Sequence, residues 1–170
     1  CTTSKGMGKG QHITMEINGA PSRNTSKVTF DYLSPEITSL EPSSGPFYGN
    51  FTLTIRGKYL GKPELAKHMD VSIGGGACTN IQVISESEIK CLTPHLPPKD
   101  NYPVMVTMYK QFSGAPFSGI SYVLPKVESA EPAVGATYGG TKVQFSGVGL
   151  GTASLIASRA LNVFVGGKPC

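Results

Sequence analysis

Four cysteines, three histidines and two Asn-x-Ser/Thr triplets are the residues of this chain with the most chemistry to offer. His12, His68 and His95 stand at unrelated positions, and no His-x-x-x-His or Cys-x-x-Cys pair supplies the spacing with which one element holds a metal ion. The acidic residues show no spacing that would set two carboxylates against each other for acid–base work. Gly74-Gly75-Gly76 lacks the following Lys and Ser/Thr, and the helix, of a phosphate loop, so it reads as a turn. Ser113-Gly114 and Ser146-Gly147 are turn residues without the context of a nucleophile elbow. The residue pattern therefore argues against an enzyme and offers no catalytic, cofactor or metal-binding residue. Asn24-Thr25-Ser26 falls in a polar hairpin between Ile17 and Val28, and Asn50-Phe51-Thr52 in a turn. Both are placed to carry N-linked glycans if the chain passes through a secretory pathway, so Asn24 and Asn50 are the expected glycosylation sites.

The elements that hold these residues recur at a fixed interval. Pro35, Ile37, Leu40, Pro42, Gly45, Gly49 and Gly57 are answered ninety positions on by Pro125, Val127, Ala130, Pro132, Gly135, Gly139 and Gly147. Cys1, Thr3, Phe30 and Tyr32 are answered in the same way by Cys91, Thr93, Ile120 and Tyr122. Like residue types at matched offsets mark a tandem array of one structural unit. The expected organisation is the C-terminal half of one module over 1–34, a complete module over 35–124, and the N-terminal half of a further module over 125–170. Asn50 stands where the next unit has Gly140, and Asn tolerates a left-handed backbone, so the turn is expected to survive the change.

Composition fixes the class of structure. Charged residues are 15% of the 170, Gly and Pro number 21 and 13, and there is no Trp. That is an all-β balance with many turns. The net charge of +4 comes from scattered Lys and Arg, which read as solvated surface. No run of 18 apolar residues is present, so no direct membrane insertion is expected of this chain. Phe51, Leu53 and Ile55 alternate with Thr52, Thr54 and Arg56, the pattern of a half-buried strand. Val71 with Ile73, Ile81 with Val83, Ile89, Val104 with Val106 and Met108, and Ile120 with Tyr122 continue it between turn signals. About seven short strands in a ninety-residue unit predict a two-sheet antiparallel sandwich. The one helical piece expected is a turn at Glu64–His68.

Pro35-Glu-Ile-Thr-Ser-Leu-Glu-Pro-Ser-Ser-Gly-Pro, Gly49-Asn50-Phe-Thr-Leu-Thr-Ile-Arg-Gly57, Val71-Ser-Ile-Gly-Gly-Gly-Ala-Cys78 and Ile89-Lys-Cys91-Leu-Thr-Pro94 follow one another in that order. Together they resemble the IPT/TIG domain, the immunoglobulin-like module of plexin- and Met-type receptor ectodomains. Pro125-Lys-Val-Glu-Ser-Ala-Glu-Pro132, the run from Gly139 to Gly147, and Val163-Phe-Val-Gly-Gly-Lys-Pro-Cys170 restate it. The resemblance implies tandem immunoglobulin-like β-sandwiches of the E-set type. It also implies a disulfide between Cys78 and Cys91, the alternative being two buried free thiols. About twelve residues would be enclosed, and closing such a loop stabilises by roughly 3 kcal/mol in the chain-entropy account. By the repeat, Cys170 is a first member and Cys1 a second member, each pairing outside 1–170 or between copies.

The function implied is non-catalytic: an extracellular spacer, scaffold or interaction surface in a long cell-surface or fibre-forming glycoprotein. Its expected partners are other proteins or further copies of itself, arranged head to tail. A ligand-binding receptor stalk of plexin/Met type is the alternative. Nucleic-acid binding, which the resembling fold serves in Rel-type transcription factors, needs Arg- and Lys-rich loops on phosphate. Arg23, Arg56 and Arg159 are the only arginines, and no basic-aromatic loop accompanies them. Phe164 and the pair Phe47-Tyr48 are candidate contact points.

Overall fold

The computed structural model describes residues 1–4, 6, 8–22, 28–109, 112–151 and 162–170. Four two-residue strands open it: β1 (Gln11–His12), β2 (Glu16–Ile17), β3 (Ala20–Pro21) and β4 (Thr29–Phe30). The central strands are β5 (Glu36–Glu41), β6 (Ser44–Pro46), β7 (Thr52–Lys58), β8 (Met69–Ile73), β9 (Gly76–Ala77), β10 (Thr79–Ser85), β11 (Glu88–Leu92), β12 (Lys99–Met108), β13 (Phe112–Ser113) and β14 (Phe117–Val123). β15 (Lys126–Glu131), β16 (Gln144–Val148), β17 (Phe164–Val165) and β18 (Lys168–Pro169) follow. A 3-10 helix over Pro63–His68 extends the expected helical turn by one residue. Its proline sits in the first turn, where a missing N–H leaves no hydrogen bond unmade.

Two sheets enclose the core between residues 36 and 123. The first has the antiparallel order β10-β11-β7-β5, and the second the order β6-β14-β12-β8-β9 with β13 beside β12. Alternation decides which side chains turn inward. Leu53 and Ile55 are fully buried on β7 while Thr52 and Arg56 face solvent, and β11 sets Ile89 opposite Ile55 and Cys91 opposite Leu53. From the second sheet Val71, Ile73, Val104, Val106, Ile120 and Tyr122 complete the core. Every apolar position expected to point inward does so, with Ile81 and Phe51 packed at its edge. Each fully buried Leu or Ile stabilises by about 1.5–3 kcal/mol over its exposed state. Outside, Arg56 bridges Glu41 at 2.6 Å and Glu88 at 3.4 Å, tying β5, β7 and β11 together.

Among the described residues the flanking segments form two-stranded ladders, and their registers repeat those of the centre. β5 and β7 pair Glu36↔Lys58, Ile37↔Gly57, Ser39↔Arg56, Leu40↔Ile55 and Glu41↔Thr54. β15 and β16 pair Lys126↔Val148, Val127↔Gly147, Ser129↔Ser146, Ala130↔Phe145 and Glu131↔Gln144, the same five pairs ninety residues on with the same slip after the second. Glycine is required at that slip, since a Cβ on Gly57 would collide with the Glu36 carbonyl and one on Gly147 with the Lys126 carbonyl. The hairpin of β8 and β9 is matched by β17 and β18 at an offset of ninety-two: Ser72↔Ala77 and Ile73↔Gly76 against Phe164↔Pro169 and Val165↔Lys168. At the other end Glu16↔Pro21 and Ile17↔Ala20 answer to Thr107↔Ser113 and Met108↔Phe112.

Candidate functional site

Cys78 ends the turn made by Gly74, Gly75 and Gly76, where its N–H donates to the Val71 carbonyl at 2.8 Å. Gly74 and Gly75 supply positive φ, +55° and +90°, as the turn reading required. Cys91 lies on β11, and both side chains are buried and present as thiols. Hydrogen bonding with the Cys78 thiol and then burial push the Cys91 thiol far above its ordinary range. Cys1 and Cys170 are exposed, and the Cys170 N–H donates to the Val163 carbonyl at 2.9 Å just as that of Cys78 does to Val71.

The Thr93-Pro94 that follows Cys91 latches the Gly49-Asn50 turn. The Phe51 N–H donates to Thr93 Oγ1 at 3.3 Å, the Thr93 hydroxyl donates to the Phe51 carbonyl at 3.2 Å, and the Asn50 N–H donates to the Thr93 carbonyl at 2.9 Å. Gly49 has φ +69°, and a Cβ there would strike the Pro94 carbonyl. Asn50 has φ +57° where Gly140 has +81°, so the substitution keeps the left-handed turn. Asn50 is exposed and reachable by an oligosaccharide, whereas Asn24 lies outside the described residues. Asn50→Gly is expected to keep thermal stability within about 0.5 kcal/mol of the parent, because glycine replaces a cap or left-handed residue at a cost of a few tenths. It removes the acceptor, so any glycan mass at this site should vanish in the intact-mass spectrum.

Beneath the latch Tyr122 packs against Phe51 and Tyr102, with ring centroids 5.9 and 5.5 Å away. Its hydroxyl is buried and has no hydrogen-bond partner among the described residues. Burial pushes its pKa up to about 12; the nearby Cys78 and Cys91 thiols and Tyr102 add to this, and the Thr93 hydroxyl, already engaged with Phe51, pulls the other way. Removing an unpaired buried hydroxyl while keeping the ring should stabilise, so Tyr122→Phe is expected to gain about 1 kcal/mol at pH 7 in denaturant titrations. The folded pKa is raised, so the fold bears no ionisation penalty from this phenol below its unfolded pKa near 10 and loses stability as pH rises from there toward 12. Urea midpoints of the parent should fall more steeply over that window than those of the variant.

The histidines do not converge. His68 stacks on Tyr109 at 4.4 Å, His95 meets the edge of Phe47 at 5.7 Å, and His12 is exposed on β1. Among the described residues no three His, Cys, Asp or Glu side chains gather as a metal site requires. The sequence reading missed a cleft of about 510 Å³ between the N-terminal segment and the sandwich, walled by Phe30, Tyr32, Tyr59 and Tyr109. Tyr59 and Tyr109 hold φ +57° and +52°, uncommon for bulky residues. The repeat carried a signal for the first, since Tyr59 answers to Gly149, whose φ is +66°. Phe47 and Tyr48 are half-buried and Phe164 is exposed, so of the three expected contact points only Phe164 stands clear in solvent.

Solved structures similar to the chain include two of the plexin A4 full extracellular region. One is 22% identical with a TM-score of 0.49, matching 68% of this chain and 9% of that one. The other is 21% identical with a TM-score of 0.46, matching 63% and 10%. The chain therefore spans about a tenth of the length of those proteins. Residues 35–122, which coincide with the closed sandwich, match the IPT/TIG domain model; this is more than half of the sequence, and the chain belongs to the IPT/TIG domain family.

Proposed function

We propose that the chain is a stretch of a tandem IPT/TIG array outside the cell, in which 1–34, 35–124 and 125–170 are the end, the whole and the start of successive modules. The array serves as spacer and interaction surface in a long cell-surface or fibre-forming glycoprotein. The observation that carries this reading is the shared register of β5·β7 and β15·β16, five pairs and one slip reproduced at an offset of ninety. An unrelated segment would have no reason to keep a glycine at 147 against the Lys126 carbonyl. The extracellular part rests on the two buried neighbouring thiols, which in an oxidising compartment close to a disulfide, and on the exposed Asn50 sequon.

Phosphate binding finds little support. Arg56 is held by Glu41 and Glu88 on the outer sheet face, and Arg23 and Arg159 lie outside the described residues. Protein taken from its native source should give a Cys78–Cys91 linked peptide under non-reducing conditions and a mass shift at Asn50 after glycosidase treatment. Alkylation of both thiols in the native protein would overturn the extracellular assignment.

A further inference from the structure

Asn50 follows a tight turn that carries two aromatic rings. Pro46-Phe47-Tyr48-Gly49 closes with the Gly49 N–H donating to the Pro46 carbonyl at 3.0 Å. Phe47 is pinned at both of its backbone groups, its N–H donating to the Val123 carbonyl and its carbonyl accepting from the Leu96 N–H, each at 3.0 Å. The rings of Tyr48, Phe47 and His95 form a row, with centroids 5.9 and 5.7 Å apart along it. Phe47 and Tyr48 are half-buried, so the row is backed by the module and keeps part of its surface in solvent. Consecutive Cα atoms are about 3.8 Å apart, which sets the Tyr48 Cα within about 7.6 Å of the Asn50 Cα. The Asn50 backbone is itself fixed, with its N–H on the Thr93 carbonyl at 2.9 Å and φ at +57°, while no hydrogen bond holds its exposed side chain among the described residues.

The matching stretch ninety residues on is Thr137-Tyr138-Gly139-Gly140. It keeps the tyrosine and the first glycine and lacks both the phenylalanine and the sequon, so the aromatic pair accompanies the sugar acceptor. One face of an N-acetylglucosamine ring is made of C–H groups, and the negative face of an aromatic ring attracts such groups. We propose that the first N-acetylglucosamine on Asn50 folds back onto Tyr48, with Phe47 and His95 behind it, and so becomes a fixed part of the module. The turn is already held by its own hydrogen bonds, so the seat orders the sugar and adds little to the stability of the chain. It also withdraws Phe47 and Tyr48 from the surface open to a protein partner, because the sugar takes the solvent side of the row. This proposal rests on the extracellular reading above.

The full 1–170 chain, secreted from a eukaryotic host in an Asn24→Gln background and trimmed by endoglycosidase to a single N-acetylglucosamine at Asn50, tests it. The N-acetyl methyl and ring protons of the sugar should lie upfield of their positions in the same protein unfolded in urea, and should show nuclear Overhauser contacts with the Tyr48 ring. Tyr48→Leu should return the sugar signals to their unfolded positions, whereas Tyr138→Leu, at the matching place without a sequon, should leave them shifted. If Tyr48→Leu disturbs the amide spectrum as a whole, the contacts in the parent decide alone. Sugar signals at their unfolded positions, with no contact to the ring, would overturn the seat and leave the extracellular reading standing. A bare Asn50 in protein from the native source would overturn the seat too, and the extracellular reading would then stand or fall on the Cys78–Cys91 link.

Discussion

Cys78→Ala is expected to lower the stability of oxidised protein by about 2–4 kcal/mol, and the same change in reduced protein to cost about 1 kcal/mol or less. The difference between the two is the measurement. Joined, the two cysteines close a short loop that contains β10 and the turn into β11, so the unfolded chain loses freedom while the native one is little altered. Reduced, the side chain is a small buried apolar group beside Cys91, and its removal leaves a cavity of one sulfur atom. Urea titrations with and without reductant, run on the parent and the variant, give the four midpoints needed. If the reductant leaves the parent's midpoint unmoved, the two thiols are not linked.

Ile55→Ala is expected to cost about 2–5 kcal/mol, and Phe145→Ala, at the matching place ninety residues on, less than about 1 kcal/mol. Ile55 is fully buried between the sheets, opposite Ile89 on β11 and Leu40 on β5. Phe145 has the same register partner, Ala130, on one side only, and remains half-exposed. The contrast separates what the local ladder contributes from what the opposite sheet contributes. In a protein where the third module is complete, the second substitution should become as costly as the first. Equal effects in the 170-residue chain would mean that the C-terminal ladder packs far more tightly than its exposure indicates.

The sandwich was legible because its signal is redundant. Leu53, Ile55, Val71, Ile73, Val104 and Val106 each announce an inward face by alternation, and glycines at 49, 57 and 74 mark the places where a Cβ cannot fit. That Cys78 and Cys91 lie near each other was expected only through resemblance, since nothing in the spacing of the two positions says that the turn before β10 and strand β11 bring them together. Left-handed Tyr59 was legible only through its counterpart Gly149, and left-handed Tyr109 and the cleft were not legible. Backbone strain at a bulky residue leaves no compositional trace, and the walls of the cleft come from segments far apart in sequence. Tyr122 read as one more inward residue. That its hydroxyl would find no partner depends on how Thr93 spends its own hydrogen bonds on Phe51.

β6, near the start of the module, runs parallel to β14 at its end, in the register Ser121↔Ser44, Tyr122↔Gly45 and Val123↔Pro46. The Phe47 N–H to the Val123 carbonyl at 3.0 Å and the Ser121 N–H to the Ser43 carbonyl at 2.9 Å close the ladder. Force that reaches β6 from the N-terminal side and β14 from the C-terminal side pulls the one back along the chain and the other forward, so two parallel neighbours slide past each other lengthwise. All of these hydrogen bonds then share the load together, whereas an antiparallel hairpin pulled from its open end surrenders its bonds one at a time. The pairing of β6 with the last strand, β14, thus gives the module a ladder loaded in shear, not unzipped, whenever force reaches those two strands.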